Sequence, residues 1–522
     1  MDGRHCPRTR ARRLLIVAMS LAAVGCSSRE PAGLGVRRAA GSARSLVATT
    51  DGVWLAFLDA CNAARASSLP LGTSSCELRV VPAAGGEPVL VARATTTLPG
   101  AVLASPVGAE IAALAEYDYA SGSGTLVRWR PGTAPEALAS GVTFRGYGAD
   151  GTLGYIAGGA FFLAAPGGGD PRDVDGVTAA ASFELAPGPL AVVGLVRRKV
   201  SAGGELLPLG RGRDGSMGAP SPLPGPVGDY GFGRGSYAFT RIGKDGAELK
   251  VVAADQAEAR PELVARGVRS FAFEPGGDAL AYVANVAPGR QGDLRLRAGR
   301  VDVALGRDVG EFRWAARAPR LAWLEGYDPR VRSGSVGAGG VGVPGRIFGK
   351  DVSDLEISPD GRFVAFLQHS SRGGYSVTLF LADLGAPEGA TPRRIAQGSF
   401  GFSFSPDGRW LYYRTRCTRE GEACDLERLD VVAAAAEPER VAEGVKSFEY
   451  APGAPGRLLL TWKPLGREAL DVGIWEGGRI VKVDTSVLPG SASFIGPGAR
   501  RLAYAVLQPK RAGVYVAEIP GS

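Results

Sequence analysis

In Phe402-Ser-Phe-Ser405 apolar and polar residues alternate with a period of two, the pattern of a strand with one better-buried face. A turn phrase follows at once. Pro406 presets φ for the second turn position, Asp407 suits the next, and Gly408 can adopt positive φ. Trp410-Leu-Tyr-Tyr413 then runs back as a largely apolar strand, as expected where both faces are covered. The same phrase stands 47 residues earlier as Ile357-Ser-Pro-Asp-Gly-Arg-Phe-Val-Ala-Phe366, with its turn at Pro359, Asp360 and Gly361. A third strand such as Val377-Thr-Leu-Phe-Leu-Ala382 comes next. A fourth resembles Arg393-Arg-Ile-Ala396 or Glu439-Arg-Val-Ala442.

Eleven versions of this unit can be counted. Their turns lie near Asp51-Gly52, Ser105-Pro106, Asp150-Gly151, Pro187-Gly188, Gly233 to Gly235 and Pro275 to Gly277. They continue at Ala318-Pro319, Pro359 to Gly361, Pro406 to Gly408, Pro452-Gly453 and Gly496 to Gly498. The intervals are close to the roughly 40–45 residues of a four-stranded blade. The 77 glycines and 36 prolines suit short strands and turns, and would be costly in helices. The pattern predicts an all-β chain and a β-propeller. Because typical single propellers have about four to eight blades, it suggests two tandem propellers of about five and six blades, 45–267 and 268–522. A cut near Gly310, one large ring, and an all-β sandwich or solenoid are the alternatives.

The Ser-Pro-Asp-Gly-Arg-Phe/Trp phrase resembles the WD-like repeat of TolB-type propellers, closely over 353–413 and loosely elsewhere. The resemblance implies a propeller and carries over no catalytic residue, because the phrase marks a turn. TolB-type proteins also have a small α/β domain ahead of the propeller, of which this chain shows no sign.

Residues 1–25 read as an export signal. Arg4, Arg8, Arg10, Arg12 and Arg13 precede the apolar run Leu14 to Val24, which is shorter than the roughly 20 residues of a membrane-spanning helix. Ala23-Val24-Gly25-Cys26 resembles a bacterial lipobox, in which the cysteine is lipidated and becomes the mature N-terminus. By analogy with enterobacterial sorting, Ser27 after it points to the outer membrane. Residues 26–44 read as a flexible tether. The remaining cysteines form two local pairs, Cys61/Cys76 and Cys417/Cys424, each flanking a polar stretch inside one unit. In an oxidising envelope such pairs read as disulfides.

Charge excludes one class. Without residues 1–25 the balance is only +4, and no basic stripe remains of the kind a nucleic-acid binder needs. Of two histidines, His5 lies in the leader, so only His369 could serve a Ser–His–Asp mechanism. It falls at a hairpin loop. No Gly-x-Ser-x-Gly nucleophile elbow is present. Gly337-Ala-Gly-Gly-Val-Gly342 satisfies a dinucleotide pattern, and Gly345-Arg-Ile-Phe-Gly-Lys350 hints at a phosphate loop. Both lack the strand-to-helix context and read instead as a long inter-strand loop from about Ser333 to Gly345. Asp150, Asp360 and Asp407 could converge in a central channel, but turn geometry already accounts for each.

The expectation is therefore a non-catalytic, lipid-anchored scaffold of the bacterial envelope. It would hold a protein partner, contact the membrane through its N-terminal lipid, and use no cofactor, metal or nucleic acid. Tyr327-Asp-Pro-Arg-Val-Arg332 is a candidate contact loop. A propeller acting on glycan or peptidoglycan, and a small-ligand receptor, are the alternatives.

Overall fold

The computed structural model describes residues 35–519 except 41–42, 44, 64–73, 176, 186–189, 197–203, 211–222, 224, 245, 254–259, 287–290, 370–376, 419–422, 434–435, 464–468, 507 and 509. The described chain is a succession of antiparallel sheets in which each strand pairs with the next. The unit read from the sequence is the blade. In the ninth, Phe402–Phe404, Trp410–Thr415, Cys424–Asp430 and Glu439–Val445 pair in that order, from the innermost strand to the outermost. Ten of the eleven expected turns join the first two strands of a blade. The eleventh, Pro187-Gly188, lies outside the described residues.

Some blades share a strand. Glu136–Tyr147 is the outermost strand of the second blade and the innermost of the third. Val343–Ile357 joins the seventh to the eighth in the same way. The stretch expected to be a loop from Ser333 to Gly345 is in fact paired strand, Ser333–Gly340 against Val343–Ile357. Its glycines have a packing role. The Trp323 indole is fully buried, and a Cβ at Gly306 or Gly337 would lie 2.5 Å from its ring, with Gly345 at 3.0 Å.

Among the described residues the core is divided into eleven clusters, one between each pair of neighbouring blades. Ala238 and Leu249 of the fifth blade share a cluster with Leu280 and Tyr282 of the sixth. Packing thus runs without a seam through residue 267. The circuit also closes: Leu55 and Phe57 of the first blade pack with Ala503 and Val516 of the last. These contacts describe one ring of eleven blades, in place of the five-plus-six division that the repeat count suggested. Nothing local in the sequence reports which blades adjoin, so the count was legible and the closure was not.

Closure comes from the N-terminal end. Gly35–Ala40, inside the segment expected to be a tether, pairs antiparallel with Gly513–Glu518 as the outermost strand of the eleventh blade. The described structure includes strand ten residues before Ser45. Ala39 and Ala40 are buried at the junction with the first blade. The junction uses the same contact as others in the ring. Arg37 donates to the Ala83 carbonyl at 3.3 Å, as Arg346 donates to Ala386 at 2.8 Å and Arg393 donates to Ala436. In each case a guanidinium on an outermost strand reaches the next blade's loop between its third and fourth strands. Arginine far outnumbers lysine in this chain. Its planar fork of donors suits such stitching better than a point charge does.

Candidate functional site

Antiparallel blades give the ring two unlike ends. At one lie the turns between first and second strands; at the other lie the hairpins between second and third strands.

The turn end is closed on itself. In the eighth blade, Gly361 takes φ +70° and donates to the Ser358 carbonyl at 2.8 Å. The buried Ser358 hydroxyl donates to Asp360 at 2.5 Å and accepts from the Phe363 amide at 2.9 Å, while Asp360 accepts from the Arg362 amide at 3.1 Å. The ninth blade repeats this at Ser405, Asp407 and Trp410. In the first, Thr49 takes the serine's place, bonding Asp51 and the Trp54 amide. Pro359, Asp360, Gly361, Pro406, Asp407 and Gly408 all sit in these turns. The arginine of the phrase pairs with an acid ending the third strand of the same blade. Arg362 meets Asp383 at 3.1 Å, Arg409 meets Asp430 at 3.0 Å, and Arg457 meets Glu476 at 2.8 Å. Sequence reading missed this pairing, although the spacing of about 20 residues from arginine to acid is regular enough to have shown it. Successive turns also touch: the Arg317 amide donates to the Pro359 carbonyl at 2.8 Å.

The hairpin end carries a different set of contacts among the described residues. Both disulfides are there: Cys61–Cys76 joins the second strand to the third in the first blade, and Cys417–Cys424 ties the segment after the second strand to the start of the third in the ninth. Next to the latter, Arg416 bridges Asp425 at 2.6 Å and Glu427 at 2.5 Å. In the second blade, Asp118 accepts from the Ser121 hydroxyl at 2.6 Å and from the Ala120 and Ser121 amides. Those bonds, the hydroxyl's foremost, hold its carboxyl below the usual carboxylate range. The candidate loop from Tyr327 to Arg332 lies at this end. Asp328 caps the Arg330 amide at 2.8 Å, and Val331 is 64% exposed. His369 is exposed here too, at the close of Phe363–His369.

A third group, not anticipated, lies on the inner strands of the seventh and eighth blades. Arg313 is 3.3 Å from Asp354 and 3.6 Å from Glu311. On the same strand as Asp354, Glu356 accepts from the Phe404 amide at 3.1 Å. Burial pushes the Glu356 carboxyl up to about 7, against the lowering effects of that amide and of Arg313. Asp150 remains in its own turn, bonded to Thr152 at 2.9 Å, and does not join this group among the described contacts. On the outer rim, a groove of about 470 Å³ runs between Gly345–Phe348 and Glu388–Pro392.

Among the described residues, no three of His, Cys, Asp and Glu gather as metal ligands. No helix there is long and apolar enough to cross a membrane. Cys26 and the leader lie outside the described residues.

No family model and no curated protein matches the chain. Among solved structures, it is similar to a eukaryotic initiation factor at 14% identity, over 70% of this chain and 93% of that one, with a TM-score of 0.44. It is also similar to the tricorn protease at 12% identity, over 91% of this chain, with a TM-score of 0.24. It spans 57% of the protease's length.

Proposed function

We propose that this chain is a non-catalytic, lipid-anchored β-propeller scaffold that docks protein partners in the bacterial cell envelope. The observation that carries the reading is the pair of disulfides at the hairpin end, each bridging the stretch between a blade's second and third strands. Disulfides persist in oxidising compartments. Loops fixed on a rigid frame lose less entropy on binding than free ones, which favours recognition over chemistry. The lipid at Cys26 would keep that surface at the membrane. The TolB-like phrase supports the fold and leaves the partner open.

The test is affinity capture from gently cross-linked native envelopes, comparing wild type with Cys26→Ala. A partner retained by the anchored form and lost with Cys26→Ala supports a tethered scaffold. Equal recovery from both forms rejects the tether, and no reproducible partner rejects the scaffold.

One observation favours a second reading, a propeller enzyme acting on glycan. Burial pushes the Glu356 carboxyl up to about 7 beside Asp354, within the range a general acid uses. Release of reducing ends from peptidoglycan by the wild type, abolished by Glu356→Gln, would support it; no release would reject it.

A further inference from the structure

We propose that the ring is held with its Ser-Pro-Asp-Gly end toward the bilayer. The inference rests on lipidation at Cys26 and adds to that reading the surface that is presented.

The strand register decides where the chain enters the ring. Gly35 lies opposite Glu518, and Glu518 lies opposite Arg501. Arg501 follows the Gly496 to Gly498 turn, and that turn touches the Asp51-Gly52 turn of the first blade. Gly35 is therefore at the turn end. It is also on the outer circumference, because Gly35–Ala40 is the outermost strand of its blade.

Length does the rest. The nine residue steps from Cys26 to Gly35 reach at most about 30 Å at ~3.3–3.6 Å per residue. An outermost strand runs roughly 20 Å from the turn end to the hairpin end at ~3.4 Å per residue. Turning the hairpin end to the bilayer would lay most of the tether along the side of the blade. Turning the turn end to the bilayer uses none of it. At the turn end, Ser358, Asp360, Ser405, Asp407, Arg362 and Arg409 are engaged within the ring, in the capped turns and arginine–acid pairs.

The eighth blade offers two exposed reporters at opposite ends of one sheet. His369 pairs with Val377 at the hairpin end. Glu388 follows Asp383, which pairs with Phe363 at the turn end. Using one blade makes tilt of the ring affect both alike. The full-length lipidated chain, as His369→Cys or Glu388→Cys carrying a donor dye, is reconstituted into phosphatidylethanolamine–phosphatidylglycerol vesicles with a headgroup acceptor. Donor quenching should be at least about twofold stronger from position 388, since a ~20 Å offset is large against typical transfer distances. Equal or reversed quenching on anchored protein overturns the orientation. Vesicle binding that survives Cys26→Ala overturns the lipid-anchor reading itself, so the two failures are distinct. A flexible insertion of about 20 Gly/Ser residues ahead of Gly35 should abolish the difference. A difference that persists would overturn the role given to the short tether.

Discussion

Gly52 in the first blade and Gly496 in the last lie so close that a Cβ on Gly52 would stand 2.3 Å from the Gly496 nitrogen. Both have positive φ, +66° and +73°. Residues 444 positions apart in sequence thus form a backbone contact at the point where the ring closes.

Gly52→Ala should therefore destabilise by about 2–4 kcal/mol, since it combines left-handed strain with a backbone clash. Gly477→Ala is the control. Its φ is +57°, but nothing lies within 4 Å, so only the conformational cost of about 1 kcal/mol is expected. Urea denaturation of both variants measures the difference, and equal losses would mean that the Gly52 contact is not made.

Deleting residues 35–40 should expose both the edge of Gly513–Glu518 and the junction beneath Ala39 and Ala40. The expected outcome is a lower midpoint and new hydrogen exchange at Tyr515 to Ala517, and in time edge-to-edge association. Arg37→Ala is a milder probe, removing the bond to Ala83 and the 3.9 Å pair with Glu518 at a cost of about 1 kcal/mol.

Ser405→Ala should cost about 1–2 kcal/mol, because the buried hydroxyl caps the Trp410 amide and its loss leaves a donor unsatisfied. Ser405→Thr should recover most of this, since Thr49 fills the same role in the first blade. Calorimetry of the two variants suffices.

Glu356 gives a pH dependence with a definite sign. Its folded carboxyl titrates near 7, above the ordinary 4.5. Between those values the native state binds more protons than the unfolded one, so stability falls as pH rises from about 4.5 through 7 and then levels. Glu356→Gln keeps an acceptor for the Phe404 amide and removes the charge. The variant should match wild type at pH 4 and exceed it by roughly 1–3 kcal/mol at pH 8. Parallel curves for the two proteins would show that the carboxyl is not desolvated.

Replacing both cysteines of either pair by serine should lower stability by about 2–3 kcal/mol on the loop-closure model. The shorter Cys417–Cys424 link, with a sequence separation of 7 against 15, should cost slightly less. Thermal midpoints with and without reductant provide the measurement.

The sequence by itself determined the blade. Alternation over Phe402 to Ser405, the Pro-Asp-Gly turns and the paired cysteines are interactions within one hairpin or one sheet, and their periods are written locally. Tertiary structure decided what joins one blade to the next. The Trp323 cradle draws glycines from three strands, the stitching arginines find carbonyls about 40 residues away, and Glu356 accepts from an amide of the next blade. Most remote of all, Gly35–Ala40 carries no turn phrase, and its partner strand lies at the far end of the chain. A strand whose mate is non-local leaves no periodic trace, because pairing across a ring depends on where the last blade arrives and not on any neighbouring residue.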